Sequence, residues 1–199
     1  RAGNLAGGGF MLIHLADEHR QTLIDYRETA PTGASRDMFL DSNGNLDHSK
    51  EYFSLQSAGV PGTVAGLLYA LDKYGTLSRE TVLAPAIALA RDGMPVSFAL
   101  FFELSSAAGQ LRKDPEAARL FFKPDGSPYE MGDRLRQADL AWTLQQISEH
   151  GVAGFYRGEV AQRITATMQA GGGLITAQDL ANYRAIERAP VRGTYRGFD

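Results

Sequence analysis

Two short apolar segments near the start of the chain predict a β-hairpin. The first runs from Phe10 to Leu15, and the second, in which apolar and polar residues partly alternate, runs from Thr22 to Arg27. A polar turn separates them, and two strand-like segments joined in this way are typical of a hairpin. From residue 28 to about residue 56 the chain has no steady period. We therefore expect a long loop there, of a length that is usually functional or flexible in a compact domain.

Most of the remaining chain carries the spacing of apolar residues that is typical of helices. Apolar residues three and four apart predict a helix over residues 62–74, with Gly75 as its end. Further helices are predicted over 78–92, after Ser97, after Asp114, over 137–150, over 159–169 and after Thr176. Residues 185–198 are predicted to be extended. The order of strands, long loop, helices and strands indicates an α+β fold rather than repeating βαβ units.

Composition excludes several classes of protein. With 199 residues, 44% of them hydrophobic, the chain can bury a core, and this length suits one domain or one large piece of a larger fold. The net charge of −3 shows no basic excess, so we expect no nucleic-acid partner. No apolar run approaches the roughly 18 residues of a membrane span, and we expect none. The absence of cysteine excludes disulfides, thiolate zinc sites and a cysteine nucleophile.

Glycine and histidine patterns give no sign of a cofactor or a metal site. The glycines at 7–9 precede a strand and lack a following Gly-Lys-Ser/Thr, so close approach of two backbones explains them better than phosphate binding. None of the four histidines has the spacing of a metal site, and no Gly-x-Ser-x-Gly nucleophile motif occurs. We therefore expect neither a metal nor a cofactor.

Arg27 and Glu28 are the residues in which the pattern suggests binding chemistry. Arg27 ends a strand shortly before Pro31, where its planar fork of N–H donors can bind a carboxylate with two hydrogen bonds. Glu28 can orient this arginine or bind an ammonium group. The alternative is a surface or structural ion pair, which is common and contributes little to stability.

A series of segments in the same order resembles the large subunit of the γ-glutamyltranspeptidase (glutathione hydrolase) family. The segments that carry the resemblance are Gly7–Leu12, Asp25–Pro31, Gly59–Gly66, Leu71–Leu77, Leu83–Ala86, Gly154–Gly158, Gly172–Thr176, Asp179–Tyr183 and Tyr195–Gly197. Each segment alone is a weak signal, but their order along nearly the whole chain is specific. One departure is Ala6, which stands where the family commonly has the first of four glycines.

The resemblance implies part of a four-layer αββα fold of the N-terminal-nucleophile hydrolases. Family members are made as one precursor that cuts itself, and the new N-terminal threonine of the small subunit attacks the γ-glutamyl amide. Residues 1–199 are thus expected to be a large-subunit fragment, a single domain that is incomplete without the small subunit. The expected partners are that small subunit, from the same precursor, and small γ-glutamyl compounds such as glutathione. No catalytic residue is expected in this chain.

The resemblance also implies a role for the pair at 27 and 28. Arg27 matches the arginine of the family's Arg-Glu-x-Ala-Pro segment, which holds the α-carboxylate of the γ-glutamyl group, and Glu28 helps to place it. Two alternatives stay open: a related amidohydrolase similar to cephalosporin acylases, and a non-catalytic homologue that acts as a partner-binding subunit. A periplasmic or secreted location is expected from the family alone.

Overall fold

The computed structural model describes residues 4–198. Residues 1–3 and 199, which the predicted large-subunit fragment includes, lie outside the described residues. The strands β1 to β5 span Phe10–Leu15, Arg20–Asp25, Met94–Pro95, Arg134–Leu135 and Ile186–Arg188. The helices α1 to α9 span His48–Phe53, Thr63–Tyr74, Arg79–Asp92, Phe98–Leu111, Pro115–Phe121, Ala138–His150, Val152–Tyr156, Glu159–Ala170 and Ala177–Asn182. A single 3₁₀ turn, Leu55–Ser57, follows α1.

The predicted hairpin is confirmed. Strands β1 and β2 pair antiparallel with Phe10 opposite Asp25, and β5 pairs antiparallel with the other edge of β2. The predicted extended segment over residues 185–198 is wrong beyond Arg188. Pro190 has no N–H to donate to a neighbouring strand, and the chain then turns back through mutual backbone hydrogen bonds between Tyr195 and Phe198.

The predicted helices form, and side chains at their first residues explain where several begin. Asp114 accepts a hydrogen bond from the backbone N–H of Ala117 at 2.7 Å, while Pro115 occupies the first position of α5. Helix α3 continues through Pro85 without a break. Helix α1 lies inside the predicted loop, where Asp47 caps a run too short to show a helical period.

The backbone divides into two compact units. One comprises the residues up to Ser78 together with those from His150 onward, and the other is Arg79–Glu149. The first unit has a core that includes Ile24, Val64 and Leu180, with α2 in contact with β2 and α7. The second unit holds β3, β4 and α3 to α5, with most of α6. The predicted single domain completed by another subunit stays a prediction. In the described part of the chain, no helix is long and apolar enough to cross a membrane.

The two faces of the three-stranded sheet differ in chemistry. On one face the carboxylate of Glu187 in β5 accepts hydrogen bonds from Thr22 of β2 and from Tyr69 and Tyr74 of α2, and it pairs with Lys73. These contacts fasten β5 and α2 to β2. On the opposite face Phe10, Leu12 and Ile186 are 59%, 61% and 49% exposed. The same face carries the ion pair of Asp25 and Arg188 at 2.8 Å, so it combines exposed apolar side chains with paired charges. Exposed apolar side chains grouped in this way are left for another element to cover.

Glycines let the backbone of neighbouring segments approach the end of β2. A Cβ on Gly8 would lie 2.7 Å from the backbone nitrogen of Glu28, which confirms the predicted close approach. Gly9 and Tyr26 exchange backbone hydrogen bonds at 3.3 and 2.9 Å. A Cβ on Gly62 would overlap the carbonyl oxygen of Tyr26, a backbone atom that cannot move aside easily. These positions exclude any side chain.

We predict that Gly62→Ala lowers the melting temperature of the complete protein by several degrees. The added methyl forces the start of α2 away from β2, and such overpacking costs about 1–3 kcal/mol. Gly109→Ala is the matched control, because Gly109 lies within α4 with open space around it and alanine favours a helix. Equal melting temperatures for the two variants would contradict this account of the packing.

Candidate functional site

The structure brings Arg27 and Glu28 together on the wall of one pocket. They follow β2 after one residue, Tyr26, and the Arg27 Nε lies 3.4 Å from the Oε2 of Glu28. The pocket holds about 380 Å³. Its other lining residues come from the loop that follows and from the 3₁₀ turn: Thr29, Ala30, Pro31, Ala34, Met38, Phe39, Gln56, Ser57, Ala58 and Gly59. The side chain of Arg27 is 58% exposed, so its guanidinium is open to a ligand.

Glu28 is less exposed than Arg27, and one of its carboxylate oxygens is buried without a hydrogen bond. A Cβ on Gly59 would lie 2.8 Å from the Cβ of Glu28, so only glycine fits beside this side chain. Among residues 4–198, the Oε2 of Glu28 is the buried side-chain oxygen without a hydrogen-bond partner. Leaving a buried acceptor unpaired costs free energy, which the nearby positive charge of Arg27 partly offsets. The Arg27 Nε, at 3.4 Å, is the charged neighbour of this buried oxygen.

The backbone of Arg27 is fixed by the side chains of the nearby Asp25 and the distant Tyr183. Its N–H donates to the Oδ1 of Asp25 at 3.2 Å, and its carbonyl accepts from the Tyr183 hydroxyl at 2.8 Å. The N–H of Arg27, and then the guanidinium of Arg188 at 2.8 Å, hold the pKa of Asp25 below its usual value. Two residues on, Thr29 and Val60 exchange backbone hydrogen bonds.

Asp179 fixes the far end of the same loop. Its Oδ1 accepts from the backbone N–H and the hydroxyl of Thr32 at 2.9 and 2.6 Å. Its Oδ2 accepts from the same two groups of Thr176, which completes the predicted capping box of α9. Burial would raise the pKa of Asp179, but the hydrogen bonds from Thr176 and Thr32 outweigh burial and lower the pKa to about 2.

Sequence reasoning missed the contacts that Tyr183 and Asp179 make with the loop. Tyr183 is buried and stacks on Tyr156, with ring centroids 5.7 Å apart and planes 8° from parallel. Asp179 was predicted only as a helix cap. Both lie in a segment that carries the family resemblance, which was the available signal, but no local pattern connects residue 183 with residue 27.

The geometry of the site suits binding. A guanidinium beside a carboxylate matches a ligand that carries a carboxylate and an ammonium group on the same carbon atom. In the described residues, no group of three or more His, Asp or Glu side chains is arranged to hold a metal ion.

Comparisons with known proteins place the chain among related sequences and structures. A family model described as "Gamma-glutamyltranspeptidase" matches residues 1–199. The chain is 48% identical to the "Glutathione hydrolase proenzyme" of Escherichia coli (strain K12) over 198 residues, which are 100% of this chain and 34% of that protein. It is 38% identical to the "Acylase ACY 1 proenzyme" of Pseudomonas sp. (strain SE83), over 98% of this chain and 36% of that protein. The chain thus spans about a third of the length of these curated relatives.

The comparison with solved structures agrees with the sequence comparisons. The crystal structure of Helicobacter pylori gamma-glutamyltranspeptidase superimposes with a TM-score of 0.95 at 43% identity, covering 99% of this chain and 56% of that chain. This match confirms the predicted α+β class and its place within the αββα fold of the N-terminal-nucleophile hydrolases.

We predict that Asp179→Asn lowers the melting temperature of the complete protein at pH 7. An amide cannot accept all four hydrogen bonds, and a pKa lowered from 3.8 to about 2 corresponds to roughly 2 kcal/mol of stability. Because the folded pKa lies below the unfolded one, this contribution is complete above about pH 4 and is lost as the pH falls towards 2.

Melting curves of parent and variant between pH 7 and pH 3 measure the effect, and the gap between them narrows at the acid end. Asp37→Asn is the control, because the Asp37 side chain is 72% exposed and pairs only with the adjacent Arg36 at 3.8 Å. A gap that stays constant with pH would show that the charge of Asp179 is not the cause.

Proposed function

Because the chain belongs to the gamma-glutamyltranspeptidase family, we propose that it is the large-subunit portion of an enzyme that hydrolyses or transfers γ-glutamyl groups. The substrates are glutathione and other γ-glutamyl compounds. The observation that carries the proposal is the pair Arg27 and Glu28, side by side on one pocket at the positions that match the family's Arg-Glu-x-Ala-Pro segment.

In this proposal Arg27 binds the α-carboxylate of the γ-glutamyl group. Its fork of N–H donors matches both carboxylate oxygens, and charge-assisted hydrogen bonds of this kind are roughly twice as strong as neutral ones. Glu28 holds the guanidinium through the contact of its Oε2 with the Arg27 Nε at 3.4 Å, and its negative charge favours an α-ammonium group nearby. Because the α-carbon end of the substrate is bound at Arg27, the γ-amide extends away from this residue. The bound α-carbon end thus orients the γ-amide for attack.

Bond breaking belongs to the second subunit. The N-terminal threonine of the small subunit attacks the γ-carbonyl carbon, and its own α-amino group serves as the base. The amine part of the substrate leaves, and the γ-glutamyl group stays bound to the threonine oxygen as an ester. Water then releases glutamate, or the amino group of an acceptor amino acid or peptide takes the γ-glutamyl group. The residues of this chain bind and orient the substrate, and none of them is proposed as catalytic.

The exposed face of the sheet supports a subunit partner. Phe10 and Leu12 of β1 and Ile186 of β5 project from the same face, and each is about half exposed or more. Two sheets that pack face to face bury such side chains between them. We propose that the small subunit, cut from the same precursor, covers this face with its own sheet. A periplasmic or secreted location is proposed on family grounds.

A second candidate function is amidohydrolysis of the acylase type, which is favoured by the 38% identity to the acylase proenzyme. Arg27 and Glu28 together match an α-amino acid better than a glutaryl group, which lacks the α-ammonium group. A non-catalytic homologue that binds a partner is distinguished by the small subunit, which would lack the N-terminal threonine.

We predict that the complete precursor processes itself and hydrolyses a γ-glutamyl anilide much faster than a glutaryl anilide. Replacing the expected threonine abolishes activity. Arg27→Lys raises the KM for the γ-glutamyl anilide at least about tenfold, because a compact ammonium replaces a two-pronged contact.

Arg36→Lys is the matched control, because Arg36 lies in the same loop but is 97% exposed and does not line the pocket. Initial rates against substrate concentration give KM and kcat for each variant. An unchanged KM for Arg27→Lys would argue against the binding role, and preference for the glutaryl substrate would favour the acylase.

We also predict that the chain expressed alone self-associates, because the exposed apolar side chains of this sheet face lack a cover. Leu12→Glu reduces this association and lowers the yield of the assembled enzyme from the full precursor. Leu77→Glu does neither, although Leu12 and Leu77 are both 61% exposed, because Leu77 lies outside the sheet. Sedimentation velocity measures the association, and a monomeric parent chain would count against the proposed cover.

A further inference from the structure

One buried hydroxyl holds the peptide group that joins Arg27 to Glu28. The Tyr183 hydroxyl donates to the Arg27 carbonyl at 2.8 Å, across 156 positions of the sequence. A peptide group is planar, so the direction of its carbonyl sets the backbone rotation on both sides of it. The side chains of Arg27 and Glu28 leave from the two Cα atoms that flank this plane. A single hydrogen bond therefore orients both members of the pair.

We propose that Tyr183 is a positioning residue for substrate binding, acting through Arg27 and Glu28 without touching the substrate. This inference rests on the proposed function, since it assumes that the pair binds the γ-glutamyl group. Tyr183, which directly follows α9, then has a role separate from folding. Its hydroxyl sets the direction in which the guanidinium meets the α-carboxylate.

The position of the hydroxyl is itself fixed from two directions. The ring of Tyr183 stacks on Tyr156, whose hydroxyl donates to the Pro61 carbonyl at 2.7 Å and accepts from the Ala65 N–H at 3.3 Å. Opposite, a Cβ on Gly62 would overlap the Tyr183 hydroxyl, so the space that this oxygen fills exists because residue 62 is glycine. The start of α2 therefore packs against Tyr183 and fixes the position of its hydroxyl.

Tyr183 stays a hydrogen-bond donor at any pH at which the enzyme would work. Burial, together with the nearby negative charges of Asp25 and Glu28, raises its pKa to about 12. The hydroxyl is therefore protonated, and the Arg27 carbonyl can only accept. The direction of the hydrogen bond is unambiguous.

Asp179 adds a second attachment of α9 to the same loop. It lies four residues before Tyr183 and binds the backbone and hydroxyl of Thr32, five residues after Arg27. The loop from Arg27 to Thr32 is thus held at both ends by one short stretch of chain. Loss of the Tyr183 hydroxyl frees the end that carries the arginine while Asp179 keeps the other end in place.

The test is Tyr183→Phe in the complete processed enzyme, which removes the donor and keeps the stacked ring. We expect the KM for γ-glutamyl-p-nitroanilide to rise about three- to tenfold, the range of one lost neutral hydrogen bond, with kcat changed less than about twofold. Tyr69→Phe is the matched control: it removes a hydroxyl that donates to Glu187 at 2.7 Å, away from the pocket, and leaves KM unchanged.

A double variant separates positioning from a general structural effect. If Tyr183 acts through the pair, Tyr183→Phe raises KM less in the Arg27→Lys background than in the parent, because only the effect through Glu28 remains. If the two effects on KM multiply, Tyr183 acts independently of Arg27 and the proposal is overturned. An unchanged KM in the single variant, or a fall in kcat and melting temperature without a rise in KM, also overturns it.

Hydrogen exchange tests the inference separately from the proposed function. If the parent enzyme does not hydrolyse the anilide, the proposed function fails, but exchange of the backbone amides in residues 27–32 still reports on positioning. Faster exchange of this segment in Tyr183→Phe than in Tyr69→Phe supports the inference, and equal exchange contradicts it.

Discussion

The close packing of backbone around Tyr26, Arg27 and Glu28 is the constraint on which the site depends. Glycines at 8, 59 and 62 stand where any Cβ would overlap this segment. Neighbouring segments of the same chain can therefore lie directly against it. Hydrogen bonds from Gly9 and Tyr183 then hold the segment in one conformation. An arginine side chain loses much conformational freedom on binding, and a rigid origin for that side chain reduces the cost.

This arrangement separates binding from bond breaking. The described residues supply the charged pair Arg27 and Glu28 on the wall of a pocket. In the proposed enzyme the nucleophile comes from the other subunit. In the proposed enzyme, placing the substrate at the nucleophile then depends on two features: the fixed backbone that carries Arg27, and the sheet face of β1, β2 and β5 that we propose the small subunit covers. The same strand, β2, joins these two features, because it ends two residues before Arg27 and lies in the middle of the sheet.

Local patterns in the sequence predicted the local structure. The hairpin follows from apolar strand segments, the helix starts from Asp114 and Thr176, and the glycine approach at Gly8 from the absence of a phosphate-loop context. Arg27 and Glu28 were identified through the family resemblance, since an Arg-Glu pair alone also describes a surface ion pair. The contacts of Tyr183 with Arg27 and of Asp179 with Thr32 were not predictable, because they join residues about 150 positions apart and leave no periodic trace.

The most direct measurement is a crystal structure of the complete processed enzyme with glutamate bound. The account predicts that both oxygens of the α-carboxylate lie within hydrogen-bonding distance of the Arg27 guanidinium, with the Tyr183 hydroxyl still on the Arg27 carbonyl. A glutamate bound elsewhere, or bound with its α-carboxylate away from Arg27, would contradict it.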